Sequence, residues 1–196
     1  TRVHPGYRVL IMIGAVHVYD VWRDVGKNWH SLVVWLLDIN DADVNAVSSF
    51  GNTLQYASSV DILTALMDRG ADLTLPNSDG RTPLITHAHR GRVYLVARLL
   101  QEPRGRATVN VQERYGYTAL HWTSMNCWPK TTIPIFRLLL QAGAMPGLTN
   151  TRGDTALDLL REFDPTQNDA ITLLEEYASA KKDAEKASLL VKGRRL

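Results

Sequence analysis

Apolar residues gather in short runs along this chain, each about two helical turns long: Leu32–Leu37, Ile62–Met67, Val93–Leu100 and Ile135–Leu140. The last three are followed by glycine or by a stretch containing Gly and Pro, as a helix C-terminus requires. Between the runs lies a recurring polar phrase. Gly80-Arg81-Thr82-Pro83-Leu84 returns as Gly116-Tyr117-Thr118-Ala119-Leu120-His121 and as Gly153-Asp154-Thr155-Ala156-Leu157. Gly51-Asn52-Thr53-Leu54 reads as a damaged copy that has lost the residue before Leu.

Each copy carries its own folding instructions. Glycine permits positive φ in a tight turn. The Thr hydroxyl caps a helix N-terminus by accepting an orphan backbone N–H. Pro83 fits the first helical position, where its missing N–H costs nothing. Leu84, Leu120 and Leu157 begin the apolar stripe. The unit is therefore turn, helix, loop, helix and an extended return. Its glycines are spaced 29, 36 and 37 residues apart, a period of stacked supersecondary units rather than of one globular core.

These residues carry a family resemblance. Thr82-Pro83-Leu84, Thr118-Ala119-Leu120-His121, Gly70-Ala71-Asp72-Leu73 and Gly143-Ala144 fall in register with the ankyrin repeat, and Gly91 lies where that family closes its first helix. The resemblance implies an all-α fold, an α-solenoid of stacked helix-loop-helix repeats with β-turn or hairpin connections. Leu32–Leu37 followed by Ala42-Asp43-Val44-Asn45-Ala46 resembles the second helix and exit of a further, degenerate unit, whose T-P-L phrase is absent. The expected organisation is an N-terminal segment at 1–17, of capping type, then an array of about five units at 18–178, and a C-terminal helix with a basic tail at 179–196.

Departures from the period mark irregular places. The loop between the helices of the second unit is clipped near Tyr56–Asp61. Extra residues fall at Glu102–Ala107, read as a long loop after a second helix, and at Asn126–Thr132, where Pro129 and Pro134 argue for a loop and a late helix start. Insertions in such arrays often lie on the binding face; neutral drift in loops, which tolerate added length, is the other reading.

Composition adds little chemistry. Charge is nearly balanced, with 22 Lys and Arg against 20 Asp and Glu, and no run reaches the ~18 apolar residues of a membrane span. Val9–Val16 is apolar but shorter, and reads as a signal-peptide core, a strand or a buried segment closing the array. Thr1 in place of Met suggests a processed form or a fragment. Positive charge collects at Lys181, Lys182, Lys186, Lys192, Arg194 and Arg195, on a helix expected over Ala178–Val191. Such a tail is a solvated helix end or a nucleic-acid contact, and no aromatics interleave with it.

No catalytic or cofactor constellation is present. The lone Cys127 excludes an intrachain disulfide. His87 and His89 are two apart in a predicted helix and point to different faces. No phosphate-binding glycine loop occurs. The chain therefore reads as a non-enzyme without cofactor or metal.

By resemblance, function falls to the surface of the array, where the family contacts other proteins through hairpin tips and the inner face of its first helices. Carried over by position, the tips supply Phe50, Asn52, Asp79, Arg81, Arg114, Tyr115, Tyr117, Arg152 and Asp154. The first helices supply His89, Arg90, Trp122, Met125 and Asn126. Aromatic and Arg residues are the usual anchors of an interface. The expected partner is another protein, with nucleic acid as a lesser reading and the array monomeric. The alternative is the targeting or regulatory part of a larger enzyme. The family implies an intracellular chain, and Asn45 is spaced like its asparagine hydroxylation sites.

Overall fold

The computed structural model describes residues 43–45, 47–48, 51–126 and 129–193. The N-terminal segment, the degenerate first repeat up to Ala42, Phe50 and Cys127 lie outside them. The elements are β1 (Val47–Ser48), β2 (Gly51–Asn52), α1 (Thr53–Tyr56), α2 (Val60–Asp68), α3 (Pro83–His89) and α4 (Val93–Gln101). They continue with α5 (Pro103–Ala107), α6 (Ala119–Ser124), α7 (Pro129–Gln141), α8 (Ala156–Phe163) and α9 (Asn168–Gly193). Among the described residues the fold is all-α apart from one short antiparallel ladder, which pairs Val47 with Asn52 and Ser48 with Gly51, and an isolated antiparallel bridge between Thr149 and Thr155.

The chain divides into two compact units. One takes residues up to His87 together with Tyr94–Thr108, and the other takes Ala88–Val93 together with Val109 onward. In the first, Leu54, Leu63, Leu66, Leu84 and Leu99 form the core at 1% exposure or less. In the second, α6 packs on α7 and α8, and α9 packs on both α7 and α8. Leu120, Phe136, Leu139, Leu159 and Leu160 fill the space between them.

The recurring phrase folds as turn, cap and helix, with one shift. In the damaged copy the N-cap is Asn52 and not Thr53: Asn52 Oδ1 accepts from Gln55 N–H at 3.1 Å, and Gln55 Oε1 accepts from Asn52 N–H at 3.0 Å. The missing residue lies between Gly and the cap rather than before Leu. Asn caps as well as Thr, so the copy keeps its function in shortened form.

Three further readings change. Glu102–Ala107 does not form a loop: Pro103 opens the helical turn α5, as Pro does where its N–H is not needed, and Gly105 lets that turn press against Leu99. Helix α7 begins at Pro129 for the same reason and runs through Pro134. The C-terminal helix is one piece from Asn168 to Gly193, starting ten residues before Ala178. No Gly or Pro interrupts residues 169–192.

Candidate protein-binding surface

Three hairpin tips, those of Gly80, Gly116 and Gly153, are built by the residue three places before the glycine. Asn77 Oδ1 accepts from the N–H groups of Asp79 and Arg81 at 3.0 and 2.9 Å. Glu113 Oε1 accepts from Tyr115 and Tyr117 at 2.9 and 3.2 Å. Asn150 Oδ1 accepts from Arg152 and Asp154 at 2.8 and 3.0 Å. Each tip is closed by a backbone bond from the same residue to the carbonyl four places on. Sequence reasoning missed these three residues because their identities differ, although their spacing repeats that of the glycines.

The second unit joins two of these tips. Thr151 N–H donates to the Tyr115 carbonyl at 3.0 Å. Gln112 Nε2 donates to the carbonyls of Gly116 and Thr149 at 2.9 and 2.8 Å. A Cβ at Gly116, where φ is +79°, would come within 3.0 Å of Asn150 Cα, so this approach needs glycine.

Behind the tips, the helix starts are stapled to the next repeat. Gln55 Nε2 donates to the carbonyl of Arg81, and His121 Nε2 sits 3.2 Å from the carbonyl of Asp154. Both acceptors immediately precede the next cap. Lower down, Asn45 and Asn110 make a second kind of clasp. Asn45 Nδ2 donates to Gly70 O at 3.2 Å while its Oδ1 accepts from Asp72 N–H at 2.7 Å. Asn110 repeats this with Gly143 and Met145 at 3.0 and 2.8 Å.

The residues expected at the surface separate into two groups. Asn52 and Asn126 are 2% and 5% exposed. Asn52 caps α1 and donates to Leu75 O, and Asn126 Nδ2 donates to Ala88 O at 3.3 Å. Both hold the scaffold together from inside and present no contact surface. In the first unit, Asp79 and Arg81 are half-buried at their tip.

The second unit brings the others together. Tyr117 lies 5.4 Å from Trp122 and 5.9 Å from His121 between ring centroids, and Trp122 lies 4.5 Å from His89. Tyr117, Trp122, His89 and Met125 are half-buried, whereas Arg90, Arg114 and Tyr115 are exposed. Tyr115, at 54%, is the outward ring of the set. Arg152 is exposed but bonded to Asp154 at 2.7 Å and to Glu162 at 3.2 Å. Its hydrogen bond to Asp154 holds that carboxyl below the usual carboxylate range, helped by Asn150. Among the described residues no group of His, Cys, Asp and Glu is arranged to hold a metal ion, and no helix is long and apolar enough to cross a membrane.

Hairpin tips alternating with helix pairs, capped alike and stapled alike, define a helical repeat protein. Residues 54–150 match the family model for ankyrin repeats in three copies, so the chain is an ankyrin-repeat protein across that span. It is 35% identical over 97 residues to the B-cell lymphoma 3 protein homolog of Mus musculus, covering 49% of this chain and 20% of that protein. It is 34% identical over 104 residues to a probable E3 ubiquitin-protein ligase, XBOS34, of Oryza sativa subsp. japonica, covering 53% of this chain and 20% of that protein. The chain thus matches about a fifth of the length of either relative. Ankyrin repeats are protein-interaction modules and are generally not catalytic.

Proposed function

We propose that this array receives a partner protein on the second unit, where the Arg114–Tyr115 tip adjoins the ring run of Tyr117, Trp122 and His89. The observation that supports this reading most directly is Tyr115, a large ring left 54% exposed on a tip whose backbone is fully organised beneath it. Exposed aromatic and Arg side chains on a rigid support are the usual energetic anchors of interfaces. Arg90 and Met125 extend the surface along the first-helix ends, and Asp79 and Arg81 form a separate tip in the first unit.

The test is Arg114→Ala combined with Tyr115→Ala, scored by partner capture and thermal melting. Tyr117 is left in place, because its ring packs on His121 and Trp122 and its removal would mix stability with binding. Lost capture at an unchanged melting temperature is expected; undiminished capture would sink the proposal.

A second reading makes the array the targeting part of a larger enzyme. It rests on the rice relative, which is named as a probable ubiquitin ligase and of which this chain matches a fifth. The full-length gene product tests it, and an open reading frame holding ankyrin repeats alone would remove it. At Asn45, hydroxylation at Cβ is compatible with the clasp to Gly70 and Asp72, since both bonds use the amide; an intact mass without added oxygen would exclude it.

A further inference from the structure

Three tips of one design isolate what Glu113 adds. Asn77 and Asn150 build theirs with a neutral amide oxygen, and Glu113 builds the same turn with one carboxylate oxygen, Oε1. The turn therefore needs an acceptor and no charge. Asn150 also uses its second atom, Nδ2 donating to Asp154 Oδ2 at 3.1 Å, four places on. At the same place after Glu113 stands Tyr117, whose ring turns to His121 and Trp122. Glu113 is 4% exposed, and its buried Oε2 has no hydrogen-bond partner among the described residues. A buried carboxylate oxygen left without a donor is costly, so folding gives no reason to prefer it to the amide.

The charges of the adjoining tip, of α8 and of the ring run are engaged. Arg152 bonds Asp154 and Glu162, and Arg161 bonds Glu175. Asp158 accepts from Thr155, and Arg90, Arg92 and Arg114 have interactions of their own. Their sum selects neither sign of partner. Glu113 differs by lying at the base of the exposed ring. Its Oε1 accepts from Tyr115 N–H at 2.9 Å, and the Tyr115 carbonyl accepts from Thr151 N–H at 3.0 Å, so the residue that carries the ring is held on both sides. We infer that the partner lays a lysine or arginine side chain over the Tyr115 ring, the Glu113 carboxylate at the ring's base supplying the opposing charge. The inference rests on the proposed interaction surface and adds the chemistry of the side chain that lands there. An aromatic face attracts a cation within about 6 Å of its centre. A carboxylate shielded from water acts on that cation through a lower effective dielectric than an exposed acid does. Attraction at this range needs no contact with Oε2, so the tip keeps its turn. Complementarity of this kind sets partner choice more than raw affinity.

Random peptides displayed on phage and panned on the full chain test this, with recovered sequences re-measured as fluorescein-labelled peptides. Recovered peptides should share a Lys or Arg. Glu113→Gln should weaken them about threefold to tenfold. Glu113→Asn, which installs the residue of the other two tips, should do the same, both at an unchanged melting temperature. Replacing the peptide's basic residue with a neutral one of similar length should abolish the difference between the native chain and either variant. Peptides that need Tyr115 but carry no basic residue, or that bind both variants as well as the native chain, would overturn the cationic chemistry and leave the interaction surface standing. A lowered melting temperature in both variants would overturn it too, by showing that the charge serves the fold. Peptides indifferent both to Glu113→Gln and to Arg114→Ala/Tyr115→Ala would overturn chemistry and surface together, as would the recovery of none.

Discussion

His121 joins its own helix start to the turn of the next repeat through Asp154. Its Nδ1 accepts from Thr118 N–H at 3.1 Å, which leaves Nε2 to carry the hydrogen and donate to the Asp154 carbonyl at 3.2 Å. One neutral ring thus closes a cap and a repeat boundary together.

Protonating His121 would place a second N–H against the Thr118 N–H, and burial, its largest influence, lowers its pKa below 6.5. The unfolded chain therefore binds this proton more readily than the folded one. Stability from this group is complete above about pH 6.5 and falls as the pH drops below that value through the folded pKa. Denaturant midpoints measured across this range should show the slope in the native chain and not in His121→Gln. Glutamine suits the position because Gln55 already makes the same pair of bonds in its own repeat. His121→Ala should instead cost about 1–3 kcal/mol at all pH values, a cap and a buried hydrogen bond being lost together.

Gly105 supports a contact that no other residue fits. A Cβ there would lie 2.0 Å from the Leu99 carbonyl oxygen, so Gly105→Ala should destabilise by about 1–3 kcal/mol, as overpacking does. Alanine's better helix propensity, about 1 kcal/mol, works the other way. An unchanged or raised midpoint in urea would refute the close approach.

Glu113 can be separated from its charge. Glu113→Gln keeps an oxygen for the Tyr115 and Tyr117 N–H groups, as Asn77 and Asn150 do at their tips, and should fold with near-native stability. Glu113→Ala leaves both donors without it and should cost about 1–3 kcal/mol. Amide hydrogen exchange at Tyr115 and Tyr117 should speed up in the alanine variant alone.

Among the described residues, Phe136 is the largest side chain with no exposure. Phe136→Ala should cost about 3–5 kcal/mol, read as a drop in the thermal midpoint, and a loss under about 1 kcal/mol would contradict its place in the core.

The repeat was legible because glycine, cap and leucine are dictated by backbone geometry and leave the same letters each time. Asn52 was harder to see: a one-residue deletion moved the cap onto a different residue type. Pro103 and Gly105 were read as loop residues, though one opens a helical turn and the other permits it to pack. Position pointed equally to Asn52, Asn126, Arg114 and Tyr115 as contacts. Only three-dimensional burial separates them, since an Asn that bonds a distant carbonyl looks in sequence like one that meets solvent. Glu113 stayed hidden because a carboxylate standing in for an amide has no signature beyond its spacing.

The Glu113 tip carries a kinetic consequence. Its N–H groups are already bonded, and it is tied to the following tip through Thr151 and Gln112. Landing there would freeze few new backbone torsions, so little conformational entropy opposes association. Capture at this place should behave as a rigid-body encounter governed by diffusion and charge, with the adaptation left to the guest.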